Sequence, residues 1–161
     1  MYVTEGLSAM ETRHLYDVRA VAEPVLRTPA PLGIRSTSLV RSGTVTGDRI
    51  TGRLLPGGGD WLLFDAAGIG HVDARYVIET DDGWLIQVFY NGRIVFRGDA
   101  RERLRAGEPL DEDDVHIRAA PTFDAPEAYG WLNGVQAVAV GSAELGDEDT
   151  MVVRYRVFEL L

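Results

Sequence analysis

The chain contains no cysteine and only three histidines among its 161 residues. The absence of cysteine excludes disulfide bonds, thiolate metal sites and cysteine nucleophiles. With only His14, His71 and His116 available, we expect no multi-histidine metal site and no bound metal. The sequence also has no dinucleotide fingerprint after a strand, so we expect no cofactor.

Basic residues are fewer than acidic residues, and long apolar runs are missing. Lys and Arg total 16 against 25 Asp and Glu, which gives a formal net charge of -9. An acidic surface repels phosphate groups, so we expect no binding to nucleic acid or to anionic membranes. No apolar run approaches the roughly 18 residues that span a bilayer. The first residues lack the basic-then-apolar pattern of a secretion signal, and we expect a soluble, cytoplasmic protein.

What the sequence does contain is a series of short segments rich in β-branched and aromatic residues, which are typical of half-buried strands. The dipeptides Asp82-Gly83, Asn91-Gly92 and Gly146-Asp147 predict turns between them. This spacing predicts an all-β fold, a single antiparallel up-and-down β-barrel. The predicted strands lie at residues 14–22, 49–55, 60–64, 71–80, 84–90, 93–98, 135–141 and 150–161.

One segment departs from the strand pattern. Asp99 is a candidate helix N-cap, a helix-forming run follows, and Gly107 stands where a helix would end. These signals predict one short helix around residues 99–106, which packs on the sheet as a lid or plug. The chain length fits one domain. We expect a flexible tail at residues 1–13 and a β-barrel domain at 14–161.

Three consecutive glycines, Gly57 to Gly59, precede Asp60 and Trp61. A phosphate loop would need a following helix and usually a lysine, but the segment DWLLF follows and no lysine is near. The glycines instead predict a corner at the barrel rim or a close backbone approach. Asp60 then has two interpretations: a turn acid that caps its own loop, or a carboxylate whose pKa burial raises so that it can move protons.

Two further positions offer charged side chains on strands. Arg75 shares one strand face with acidic residues, either as a solvated charge ladder or as a lumen residue that holds a carboxylate or enolate oxygen. His116 and Arg118 share a face and could pair a proton carrier with an anion clamp, or form the wet face of an edge strand. The candidate catalytic residues are therefore Asp60, Arg75, His116 and Arg118.

The aromatic residues have a structural and a functional interpretation. Most aromatic side chains belong to an ordinary core, but a barrel of about eight strands can also hold one small ligand. Aromatic walls with a few polar groups then hold apolar or polycyclic molecules. The candidate substrate-binding residues are Trp61, Tyr76, Trp84, Tyr90, Phe123, Trp131 and Asn133.

Several short motifs occur in order: Gly-Gly-x-Asp-Trp at 57–61, Ala-Arg-Tyr at 74–76, Thr-Asp-Asp-Gly at 80–83, Pro-x-Phe at 121–123 and Trp-Leu-Asn at 131–133. Over residues 14–161 the chain resembles the bacterial and fungal family called domain of unknown function 3237. The resemblance implies a small antiparallel β-barrel, calycin-like or allene-oxide-cyclase-like, with a small-molecule role. The segment 116–118 reads His-Ile-Arg where the family usually has Tyr-Phe-Arg, which indicates either an altered pocket or sequence drift without functional effect.

Together these observations favour a cofactor-free β-barrel enzyme that binds a hydrophobic small molecule, a secondary-metabolite intermediate. The expected reaction is a non-redox cyclisation, isomerisation or dehydration, in which the barrel folds the substrate and polar groups move a proton. The alternative is a non-catalytic carrier or sensor of the same ligand class. A third hypothesis is a homodimer formed through exposed apolar strands.

Overall fold

The computed structural model describes residues 9–111 and 113–161, which form antiparallel strands with one short α-helix. The helix, α1, spans Ala100–Arg105, and 3₁₀ segments cover Glu127–Gly134 and Asp147–Asp149. The strands are β1 (Thr12–Ala22), β2 (Leu26–Ala30), β3 (Gly33–Thr46), β4 (Gly52–Leu54), β5 (Gly59–Phe64), β6 (Gly70–Thr80), β7 (Leu85–Phe96), β8 (Val115–Asp124), β9 (Ala137–Leu145) and β10 (Met151–Leu160).

The strands close into a barrel. Neighbours pair in the order β1, β10, β9, β8, β7, β6, after which β4 and β5 both bridge β6 to β3. The pairing of β3 with β1 closes the circuit, and β2 continues beyond β1 along the same edge of β3. The ten strands therefore occupy eight positions around the barrel. The predicted antiparallel β-barrel is confirmed.

The packed core fills one end of the barrel, called here the closed end. Alternation along the strands sends every second side chain inward, as in β6, where Val72, Ala74, Tyr76 and Ile78 are buried. The 3₁₀ segment Glu127–Gly134 lies against this end and contributes Leu132, which is fully buried. Other side chains buried in the same core are Leu15, Tyr16, Ile50, Ile86 and Val88.

The predicted turn at Asn91-Gly92 is wrong, because both residues lie inside the continuous strand β7. Glycine at this position is explained by packing, because a Cβ at Gly92 would lie 2.4 Å from the carbonyl oxygen of Arg118 on β8. Close contact between β7 and β8 therefore requires glycine. The turns at Asp82-Gly83 and Gly146-Asp147 do connect strands, β6 to β7 and β9 to β10.

The predicted helix is present and slightly shorter than expected. Asp99 occupies the N-cap position without a side-chain hydrogen bond, and Gly107 follows the helix end with a φ of 78°. Among the described residues no helix is long and apolar enough to cross a membrane. At the N-terminus, β1 begins at Thr12, inside the segment assigned to a tail, and residues 1–8 lie outside the described part.

Strands β2 and β3 were not expected from the sequence. Their Ser, Thr and Gly content between residues 26 and 46 hides the apolar alternation that marks the other strands. The inward face of β3 carries Ser36 and Ser38, which is why its pattern does not resemble a core strand.

Candidate functional site

The end of the barrel opposite Leu132 is hollow. A cavity of about 530 Å³ opens between α1, the β9–β10 turn and the β2–β3 hairpin, and this opening is called the mouth. Its volume falls in the range of small-molecule sites. Most of the wall is apolar and includes Leu62, Phe64, Ile94, Phe96, Met151 and Val153.

Asp60 contributes a carboxyl group to this cavity. On β5 it lies opposite Ser38 of β3 and Ala74 of β6. Direct pairing of β5 with β6 is interrupted after Asp60 and resumes at Leu63. At this gap, Oδ1 of Asp60 accepts a hydrogen bond from the backbone N–H of Asp73 at 3.3 Å. The side chain therefore completes the barrel wall and also lines the cavity.

Burial gives this carboxyl group an unusual proton affinity. Removal from bulk water raises the pKa of Asp60 to about 7, the Asp73 backbone hydrogen bond opposes this rise, and the Asp73 charge adds to it. Both protonation states of Asp60 are therefore populated near neutral pH, the condition that suits a general acid or base.

Tyrosines form the floor of the cavity beside Asp60. The rings of Tyr76 and Tyr90 pack edge to face at 5.7 Å, and those of Tyr90 and Tyr155 at 5.4 Å. Burial raises the pKa of all three, and the Asp60 charge adds to the rise for Tyr90 and Tyr155. Their hydroxyls remain protonated at neutral pH; that of Tyr76 lies 3.0 Å from the Tyr16 hydroxyl, whereas those of Tyr90 and Tyr155 are available as hydrogen-bond donors.

The three glycines before Asp60 set its position. Gly57 has a φ of 102°, and a Cβ at Gly58 would lie 2.5 Å from the Arg75 carbonyl oxygen. Gly58 also pairs with Val40 of β3 through its carbonyl oxygen. The expected close backbone approach is confirmed, but the segment lies within the barrel wall, between β4 and β5, rather than at the rim.

Of the four candidate catalytic residues, the cavity includes the carboxyl group of Asp60. The guanidinium of Arg75 is 61% exposed and lies 3.8 Å from Asp73 on the outer face, although the residue borders the cavity where β5 meets β6. His116 and Arg118 also point outward, since Val115, Ile117 and Ala119 fill the inward positions of β8. For these three side chains the outward alternative therefore fits the structure, a solvated position for Arg75 and the outer face of a strand for His116 and Arg118, because strand alternation turns them away from the lumen.

The candidate substrate-binding residues divide in the same way. Tyr76 and Tyr90 line the cavity. Trp61 is 41% exposed because it follows Asp60 and faces outward, and Trp84 is 46% exposed at the β6–β7 turn. Neither tryptophan lines the cavity.

The remaining candidates belong to the closed end of the barrel. Phe123 packs against Tyr16, with ring centroids 6.3 Å apart. The Trp131 ring stacks under the guanidinium of Arg49 at 3.4 Å. Asn133 bonds both backbone groups of Ala125, so its amide fixes a loop. These contacts give each residue a structural role outside the cavity.

Sequence reasoning missed several residues that line the cavity. Ser36 and Ser38 lie on the unrecognised strand β3. Tyr155 could have been included among the candidates, because it shares the inward face of a recognised strand with Val153 and Val157. Arg101 and Arg105 share one face of α1, and the four-residue spacing was a readable signal. Among the described residues, no group of three or more His, Cys, Asp or Glu could hold a metal ion.

Fold and site together define a closed antiparallel β-barrel with a packed end and a hollow end, the latter holding a carboxyl group beside tyrosines. This architecture matches the expectation drawn from the sequence motifs. The chain belongs to the DUF3237 family, described as proteins of unknown function, whose model matches residues 10–160.

Solved structures share the fold. A conserved protein of unknown function from Rhodopseudomonas palustris is 25% identical and has a TM-score of 0.88, covering 96% of this chain and 100% of its own. A β-barrel-like protein from Acinetobacter baumannii is 26% identical, with a TM-score of 0.79 over 98% of this chain and 100% of its own. A structure described as an enzyme from Penicillium herquei is 18% identical, with a TM-score of 0.67 over 96% and 99%.

Proposed function

We propose that the chain is an acid–base enzyme that moves a proton within a hydrophobic small molecule. The reaction class is a non-redox isomerisation, cyclisation or dehydration. The observation that carries this proposal is Asp60, a cavity carboxyl group with a pKa of about 7 beside tyrosine hydroxyls. A group with such a pKa exchanges protons in both directions at neutral pH.

Such a reaction moves one proton and one electron pair within the substrate and needs neither an oxidant nor a reductant. The Asp60 carboxylate takes a proton from a carbon of the substrate, and the bonding electron pair stays on the substrate as an enolate. Tyr90 and Tyr155 donate hydrogen bonds to the oxygen on which charge develops. The protonated Asp60 then returns the proton to a second atom of the same molecule, or to a departing hydroxyl group.

The cavity supports this chemistry by holding the substrate. Apolar walls of Leu62, Phe64, Ile94 and Phe96 favour an apolar body and exclude bulk water. Confinement in about 530 Å³ restricts a flexible substrate before the reaction and lowers its entropic cost. A protein of similar fold from Penicillium herquei is described as an enzyme, which supports the proposal that a barrel of this kind can catalyse a reaction.

The test uses a simple apolar ketone rather than an unidentified natural substrate. The protein is incubated with 2-tetralone in D₂O near pD 7, and NMR follows deuterium exchange at the carbons beside the carbonyl. We expect exchange above the buffer rate with the wild type and loss of that excess with Asp60→Asn. Asp124→Asn, an exposed carboxylate at the end of β8, is the matched control and should behave as wild type.

The alternative function is a non-catalytic carrier of the same ligands. The carrier function is favoured by the hydrogen bond from the Asp73 N–H to Asp60, because this bond gives the carboxyl group a structural role. Asparagine at position 60 retains an oxygen for this bond. Retained binding of 2-tetralone without any exchange above buffer, in both wild type and Asp60→Asn, would establish the carrier and exclude the enzyme.

A further inference from the structure

The mouth of the cavity concentrates positive charge on an acidic protein. Arg27, Arg101 and Arg105 line it, whereas the chain as a whole has a formal net charge of -9. None of the three arginines forms an ion pair with a described carboxylate. Asp149 is the acidic residue of the described mouth and lies on the β9–β10 turn.

Arg101 is held in place by contacts that do not neutralise it. Its guanidinium lies over the Phe64 ring at 4.7 Å and over the Phe96 ring at 5.2 Å. One of its N–H groups donates to the Gly68 carbonyl oxygen at 2.8 Å. Since a guanidinium has five N–H donors, most of them stay available to a second partner. Arg105 stands one helical turn further along α1 and extends the positive charge.

A buried hydroxyl group points to the same ligand. Ser36 is one of the residues around the cavity and is 2% exposed, and its buried Oγ has no hydrogen-bond partner among the described residues. Ser36 lies opposite Arg27 on β2, and two residues further on, Ser38 lies opposite Asp60 on β5. A polar row (Arg27, Ser36, Ser38 and Asp60) therefore runs from the mouth to the carboxyl group along an otherwise apolar wall.

We infer that the ligand is an apolar molecule with a terminal carboxylate, which Arg101, assisted by Arg27 and Arg105, binds at the mouth while the apolar body reaches toward Asp60. This inference rests on the proposed function for the direction of the reacting end. Guanidinium groups bind carboxylates through paired N–H donors, and a site bordered by apolar surface strengthens such bonds. When the ligand binds, the Ser36 hydroxyl donates a hydrogen bond to it and so gains the partner that it lacks in the free protein.

The test compares two fluorescent probes, pyrenebutyric acid and pyrenebutanol, which share one apolar skeleton and differ in the carboxylate. In fluorescence titrations at pH 7 we expect the wild type to bind the acid about tenfold more tightly, as a charge-assisted bond requires. Arg101→Met combined with Arg105→Met should remove this preference and leave pyrenebutanol binding unchanged. Arg93→Met, on the outer face of β7, is the matched control and should retain the preference.

Retained pyrenebutanol binding shows that each variant is folded. The single variants Arg27→Met and Arg105→Met should each reduce the preference for the acid by less than the double variant does. Ala143→Phe, which fills the cavity, should weaken both probes and so place them inside the barrel. Equal binding of acid and alcohol by the wild type would overturn the inference and leave the proton-transfer proposal intact. A clear preference for the acid, with no exchange of 2-tetralone, would instead support the inference and reject the enzyme.

Discussion

Tyr16 and Tyr76 meet across the barrel, one from β1 and the other from β6, with their hydroxyl oxygens 3.0 Å apart. Both residues are buried, and their contact separates the packed core from the cavity floor. Burial and the Tyr76 hydroxyl raise the pKa of Tyr16, so this pair stays protonated at physiological pH. The bond ties together two strands that are not neighbours in the sheet.

Removing either hydroxyl should destabilise the barrel. Tyr76→Phe leaves the Tyr16 hydroxyl buried without this partner, and we expect a loss of about 1–3 kcal/mol in the free energy of unfolding. The double variant Tyr16→Phe/Tyr76→Phe should lose less than the sum of the single variants, because it leaves neither hydroxyl unpaired. Urea denaturation of the four proteins measures this coupling, and strict additivity would contradict it.

Asp60 makes stability depend on pH. Burial raises its pKa from 3.8 to about 7, so the folded state binds this proton more tightly than the unfolded state. Its stabilising contribution is complete below about pH 4 and is lost as the pH rises toward about 7. Asp60→Asn should therefore match wild type near about pH 4 and exceed it near about pH 8, by up to about 4 kcal/mol.

Chemical denaturation at both pH values measures this difference. Asp124→Asn controls for the general effect of removing one surface carboxylate and should show no such gain at the higher pH. A gain for Asp60→Asn that is the same at both pH values would show that its carboxyl group is not desolvated.

Ser36 should display opposite effects on stability and on binding. Its hydroxyl is buried without a described partner, so Ser36→Ala removes a desolvation cost and should stabilise the free protein by about 1 kcal/mol. The same variant should bind pyrenebutyric acid severalfold more weakly than wild type, with pyrenebutanol unaffected. Thermal unfolding and the fluorescence titration measure the two effects, and a loss of stability would show that the hydroxyl has a partner within the protein.

Gly92 should tolerate no side chain. Its added Cβ would meet the Arg118 carbonyl oxygen at 2.4 Å and the Ala119 Cα at 3.1 Å, both on β8. We expect Gly92→Ala to destabilise the protein by about 1–3 kcal/mol through this overlap. Gly130→Ala is the control, since a Cβ there meets nothing within 4 Å. Equal effects of the two substitutions on urea denaturation would contradict the close approach.

The barrel class was predictable because most strands alternate apolar and polar residues, and because turn dipeptides such as Asp82-Gly83 mark their ends. The turn predicted at Asn91-Gly92 was wrong, because the glycine that favours a turn also permits a close contact between strands. Strand β3 was hidden because its inward face carries Ser36 and Ser38 where it borders the cavity, so it lacks the apolar pattern of a core strand.

The candidate site was predictable only in part. Strand alternation shows that Arg75 and Tyr76 face opposite sides, but it does not show which side is inside until the strand partners are known. Asp60 could be selected from its position after a glycine turn, whereas its raised pKa depends on burial that the sequence does not display. Arg27 and Ser36 become neighbours through β2–β3 pairing, which no local pattern indicates.

Strand β3 is flanked on both sides by interrupted strands, with β1 followed by β2 on one side and β4 followed by β5 on the other. The first half of β1 contributes Leu15 and Tyr16 to the packed core, whereas β2 and β5 carry Arg27 and Asp60 at the hollow end. Both interruptions, at residues 23–25 and 55–58, lie beside β3, where the Glu23 backbone N–H donates to the Leu39 carbonyl oxygen and the Gly58 carbonyl oxygen accepts from Val40. Because separate strand segments form part of the cavity wall, we expect substitutions on β2 and β5 to change ligand binding with little effect on the packed core.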